Sequence, residues 1–211
     1  MNSKSFRNTN SVITVFGICV FLVAALIPLA AKSYPPAVGI TGKSQNCLSC
    51  HVDNGPWKDD ANTIIDVVDK DSGKSLKQSD GTFLIEAKRG MTRTVLTIMG
   101  RTGQGASESP LRNAWLYVDT STIQSSSLSK FAPGWEVNLP MACRIVGDKQ
   151  PGYENARITV LPMTVRPTDS ARDSEMLLQA MFTKGESVKG NAKEGLIGSY
   201  FERRVRLRVI D

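Results

Sequence analysis

One histidine, His51, stands among 211 residues. A Ser/His/Asp relay would have to use that single imidazole, and no second histidine remains to serve as a distal acid or base. Cysteine is nearly as scarce, with Cys19, Cys47, Cys50 and Cys143 only. Cys19 lies in an apolar stretch, so the four ligands a structural zinc requires are not assembled. A thioredoxin-like dithiol would sit in a βαβ pattern, and none surrounds Cys47 and Cys50. Carboxylates such as Asp59, Asp60 and Asp66 are scattered through turn and strand patterns and read as solvated. These absences leave no sequence case for substrate turnover, and the chain is expected to be no enzyme.

What is present is Cys47-Leu48-Ser49-Cys50-His51. A Cys-x-x-Cys-His run is the attachment signal for c-type haem. Two thiols two residues apart can add to the two vinyl groups on one side of a porphyrin, and the adjoining imidazole then reaches the iron. Cys47, Cys50 and His51 are therefore the candidate cofactor-binding residues for one covalent haem c, with His51 the proximal iron ligand. With those thiols consumed, Cys143 is left without an intrachain partner and is expected to be buried as a small apolar residue.

The N-terminus carries a second signal. Asn2 to Asn10 is polar with Lys4 and Arg7 and no acid, and Val12 to Ala31 is uncharged. At 1.5 Å per residue such a run just crosses a hydrocarbon core of ~30 Å. It is longer than the usual apolar region of a signal peptide, which favours a retained anchor over cleavage at Ala31-Lys32-Ser33. Either way the positive end stays inside and the remainder lies on the periplasmic or extracytoplasmic side, where c-type haem is attached. The organisation expected is a cytoplasmic tail over 1–10, a transmembrane anchor over 11–31, a tether and haem-attachment segment over 32–62, and a body over 63–211. The tether is rich in Pro, Gly and Ser, and Trp57 beyond the motif is placed to cover a haem edge or to pack.

From Thr63 onward the pattern has period two. Thr63 to Val68, Thr82 to Ala87, Thr92 to Met99, Asn113 to Val118, Trp135 to Leu139, Ala156 to Leu161, Met176 to Phe182 and Phe201 to Ile210 are β-branched and apolar, with Asp-Ser-Gly, Asp-Gly and Arg-Gly turn signals between the first ones. About eight short strands indicate a mainly β fold, an antiparallel Ig-like β-sandwich. In the last of them Arg204, Arg206 and Arg208 alternate with Val205, Leu207 and Val209, giving a basic stripe on one face. It reads as a solvated sheet face or as a docking surface for an acidic partner. The 26 Lys+Arg against 20 Asp+Glu lean the same way.

An electron-carrying haem with one histidine needs a sixth ligand. Met141 and Met163, each following a proline at the end of a strand pattern, are the leading candidates, Met141 first. Met91 in a turn, a lysine, or an N-terminal amine at Tyr34 are the others, and Met99, Met176 and Met181 read as core. A haem motif near the N-terminus of a β-sandwich resembles cytochrome f of photosynthetic membranes, on Tyr34-Pro35 and on the run Cys47 to Pro56, with a shorter spacing from Tyr34 to Cys47. That resemblance implies a Tyr34 amine as sixth ligand if the chain is cut after Ser33. The function expected is single-electron transfer between membrane-associated redox partners, a membrane-bound redox complex or another cytochrome. A subunit of a larger photosynthetic or respiratory complex, or a haem sensor with an open sixth site, are the alternatives. No nucleic-acid partner is expected.

Overall fold

A computed structural model describes residues 47–49, 51–103, 109–122, 131–138, 141–184 and 197–211. The ten strands are β1 (Val52–Asp53), β2 (Thr63–Asp69), β3 (Phe83–Lys88), β4 (Arg93–Thr102), β5 (Arg112–Asp119), β6 (Trp135–Val137), β7 (Met141–Ile145), β8 (Ala156–Pro167), β9 (Ser174–Thr183) and β10 (Ile197–Ile210). The described residues hold two short 3-10 turns and no longer helix. All eight expected strands are present, and Gly81 and Gly90 take the expected turns with φ of 82° and 72°.

Two sheets form. One runs β1-β10-β9-β5-β7, with β3 also on β10, and the other runs β2-β4-β8-β6. Their inner faces share one core, in which Val67, Val95 and Met163 of the smaller sheet meet Phe83, Trp115, Leu178 and Val205 of the larger. The architecture is a β-sandwich, as alternation in each strand requires when one face is buried. Across the core Tyr117 and Thr97 share a 2.6 Å hydrogen bond between their hydroxyls, and Asn113 Nδ2 donates to the carbonyl of Met99 at 2.8 Å.

Pairing is not wholly antiparallel. The 14-residue β10 takes β9 along one edge and carries two parallel neighbours on the other, β1 on its first residues and β3 on its last six. Parallel partners need long crossovers, and the sequence distance from β3 to β10 supplies one.

One local expectation is corrected. Pro162 does not end a strand, because β8 continues to Pro167. Val160 N donates to Asp148 Oδ2 and Thr164 N to Asn138 Oδ1 on the side away from β4, so the position between them also turns its nitrogen to that edge, where no strand donor is needed. The basic stripe is neutralised: Arg204 pairs with Glu175 at 3.1 Å, Arg206 with Asp80 at 3.4 Å and Arg208 with Glu86 at 3.0 Å. The alternation is as expected, and the three guanidiniums lie on a solvent-accessible face, each beside a carboxylate of a flanking segment.

Candidate haem-attachment site

Cys47–Ser49 forms a 3-10 turn, and His51 N donates to the carbonyl of Cys47 at 3.0 Å. That bond closes one helical turn from Cys47 to His51, and positions i and i+4 of such a turn share a face. One thiol and the imidazole are thereby brought to one side, as attachment to one porphyrin edge requires. Cys47 and His51 are half-buried. Cys50, the tether, Tyr34 and the apolar N-terminal run lie outside the described residues. Among the described residues no helix is long and apolar enough to cross a membrane, and no group of three or more His, Cys, Asp or Glu is placed to hold a metal ion. A porphyrin bound through thioethers and one imidazole does not require such a group.

The residues after His51 are tied to the start of β10. Val52 and Asp53 pair with Ile197 and Gly198. Asn54 N and Gly55 N both donate to Gly198 O, at 3.0 and 2.7 Å. Tyr200 N donates to Asp53 Oδ1 at 2.9 Å, and Trp57 N to Ser199 Oγ at 3.0 Å. Trp57 is not a cover for a haem edge. It is buried in the core, its ring edge-on to Phe182 at 6.4 Å, with Phe182 in turn 5.0 Å from Phe201. An indole driven into the sandwich anchors the motif to one end of the larger sheet.

The turn packs against β5 and β9. On β9, Met176, Leu178, Ala180 and Phe182 belong to the inter-sheet core, so Leu177, Gln179, Met181 and Thr183 occupy the opposite, outer face. That face is not solvated: Gln179, Met181 and Thr183, with Leu116 of β5, are all buried. The Tyr200 hydroxyl, on the same face, donates to Glu202 Oε1 at 2.6 Å and is held far above its ordinary pKa, first by burial, then by Glu202, and also by the nearby Cys47 and Asp53. An open groove of about 500 Å³ lined by Asp53, Trp57, Tyr200 and Glu202 runs beside it. Leu48 of the motif, Val52 just after it, and Leu111 and Ile145 at the β5–β7 edge of the same sheet end are exposed apolar side chains.

The candidate sixth ligands separate clearly. Met163 is 1% exposed in the inter-sheet core, where a strand continuing through Pro162 points it. Met91 is exposed in the turn after β3, beside Ile210, whereas the motif adjoins Ile197. Thirteen residues of β10 separate those ends, about 43 Å at ~3.3 Å per residue. Met141 opens β7 opposite Leu116. Cys143 is half-buried in β7, opposite Ala114. Met181, expected in the core with Met99 and Met176, lies instead on the outer face of β9, as its parity with Gln179 against Met176 and Leu178 requires, and is buried there.

No family model matches the chain, and no curated protein does. Solved structures similar to it include a PapD-like domain of human CEP192 (10% identity, 74% of this chain and 92% of that one, TM-score 0.33). They also include WR4, a C. elegans member of the MSP family (8% identity, 59% and 92%, TM-score 0.33), and the N-terminal domain of PorA (7% identity, 69% and 97%, TM-score 0.33). At this level the similarities bear on no function.

Proposed function

We propose that this chain is a monohaem c-type cytochrome, an electron carrier rather than an enzyme, with one haem held by Cys47, Cys50 and His51. The single observation that supports this most is the 3.0 Å bond from His51 N to Cys47 O, which folds the motif into the turn its chemistry needs. When bound, the haem supplies a one-electron ferric/ferrous couple. The residues of this chain do the rest: two thiols tether, His51 orients, and the bonds from Asn54, Gly55 and Trp57 to β10 keep the site rigid between oxidation states. The body is proposed as an Ig-like sandwich held at the extracytoplasmic face by the apolar run Val12 to Ala31. Its partners are a membrane-bound redox complex or another cytochrome. The exposed Leu48, Val52, Leu111 and Ile145 offer such a partner an apolar contact at the motif end, and they equally suit a fixed subunit of a larger photosynthetic or respiratory complex.

The test is expression of the full chain with a haem-attachment system, followed by denaturation and a pyridine adduct spectrum. A c-type adduct at one haem per chain is expected, lost in Cys47→Ser/Cys50→Ser. A chain that matures without covalent haem would end this reading.

A further inference from the structure

We infer that the motif end of the sandwich rests on the lipid surface of a bilayer, with Leu48, Val52, Leu111 and Ile145 entering the headgroup region. This rests on the anchored part of the reading above, the run Val12 to Ala31 as a membrane span, and is independent of the haem.

Single exposed apolar side chains are ordinary on a protein surface, whereas a group of them in one place marks an interaction. Among the described residues six large apolar side chains are exposed, and four of them, Leu48, Val52, Leu111 and Ile145, share this end. Register shows how they are grouped. Asp53 pairs with Gly198, Gly198 with Thr183, Thr183 with Arg112 and Arg112 with Ile145, so one row crosses β1, β10, β9, β5 and β7. Val52 and Leu111 stand one residue beyond that row. The rim so formed is about 19 Å wide at ~4.8 Å per strand spacing.

Its backbone is also fit to leave water. Leu111 N donates to Thr183 O at 2.8 Å, Val146 N to Leu111 O at 3.1 Å, and Asn54 N and Gly55 N to Gly198 O. An unpaired peptide group carried into lipid is costly, and at these positions the partner already lies within the protein.

Chain connectivity selects lipid as the occupant. Fifteen residues, 32–46, separate Ala31 from Cys47. Such a length reaches at most about 50 Å drawn straight, and a coil of fifteen residues averages less than half of that. The chain from the apolar run joins the body at this rim, whereas Ile210 lies a further ~43 Å along β10. The end of the body that the anchor joins is therefore the end that carries the apolar side chains. Side chains set in a membrane interface hold by the apolar area they bury there. A redox complex embedded in the same bilayer then meets a motif end that already faces the membrane, and displaces lipid from it.

The experiment uses the full chain in nanodiscs of phosphatidylcholine alone, in which an acyl chain carries a photoactivated diazirine close to the glycerol, followed by peptide mapping. We expect label on Val12 to Ala31 and, several-fold above the peptides holding Met91 and Ile210, on those holding Leu111 and Ile145. High salt should leave the pattern unchanged, because apolar insertion is not screened. Leu111→Ser with Ile145→Ser should lower the labelling of the rim several-fold while the anchor stays labelled. Label on the anchor with none at the rim above the Met91 and Ile210 level overturns the inference and leaves those side chains to a protein partner. Rim labelling that high salt abolishes, or that the serine variant keeps, overturns it equally. An unlabelled Val12 to Ala31 would instead remove the anchored reading beneath it, and the anchor peptide tells these failures apart.

Discussion

Tyr117 carries the clearest single-residue consequence. Its hydroxyl is wholly buried and tied to Thr97 of the opposite sheet at 2.6 Å, and burial drives its pKa well above the ordinary value, so it stays protonated throughout the useful pH range. Tyr117→Phe removes one partner and leaves the Thr97 hydroxyl buried and unmet, which costs roughly 1–3 kcal/mol. Replacing both, as Tyr117→Phe with Thr97→Val, removes the polar pair together. Urea unfolding should therefore show the double variant recovering most of the single variant's loss. If the double variant instead loses the sum of both, the bond is not what holds these two sheets in register there.

At the scale of elements, the β4–β8 pairing in the smaller sheet contains a close backbone approach. Gly100 faces Ile158, and a Cβ there would lie 2.0 Å from the carbonyl oxygen of Arg157 and 2.7 Å from the Cα of Ile158. Both obstacles are backbone, so neither can swing aside as a side chain would. Gly100→Ala should lower stability by roughly 1–3 kcal/mol, read as a lower urea midpoint at unchanged slope. An unchanged midpoint would show that β4 and β8 are further apart than the register implies. The sequence could not announce this: Gly100 ends an apolar run and reads as a strand terminus, whereas β4 continues to Thr102.

Charge acts at the scale of the whole molecule. The chain carries 26 Lys+Arg, and its 20 Asp+Glu are what keep the net charge at +6. Several of those carboxylates staple loops to strands. Asp69 accepts from Ser72 N at 2.9 Å and Ser72 Oγ at 2.8 Å and pairs with Arg93 at 3.1 Å, and the Ser72 backbone bond leads the effects that hold its pKa below the ordinary range. Asp60, chiefly through Arg101, and Asp80, chiefly through Thr82, are lowered too. A lowered folded-state pKa adds stability above the unfolded value and loses it as pH falls through the folded one. Stability should therefore be flat near neutrality and drop on acidification below the ordinary carboxylate range, as Asp60, Asp69 and Asp80 take up protons and release their partners. Asp69→Asn should cost roughly 1–2 kcal/mol at pH 7 and flatten the acid limb of urea midpoints measured from pH 7 to 3. An acid limb of unchanged steepness would show that Asp69 is not among the groups responsible.

By itself the sequence determined the Cys47-Leu48-Ser49-Cys50-His51 run on which the haem proposal rests, and the strands, because period two is a local property that each buried strand declares. β7 escaped because Met141-Ala142-Cys143-Arg144-Ile145 lacks a clean alternation, and β1 because two residues carry no period. Only the tertiary structure decided what covers each face. It sent Trp57 into the core, set carboxylates against the arginines of β10 and kept Met163 between the sheets. Those outcomes depend on pairings such as Asp53 with Gly198 and Arg206 with Glu175 on β9, where long-range register selects the neighbour. Alternation says that two faces exist; what covers each one depends on where the chain returns.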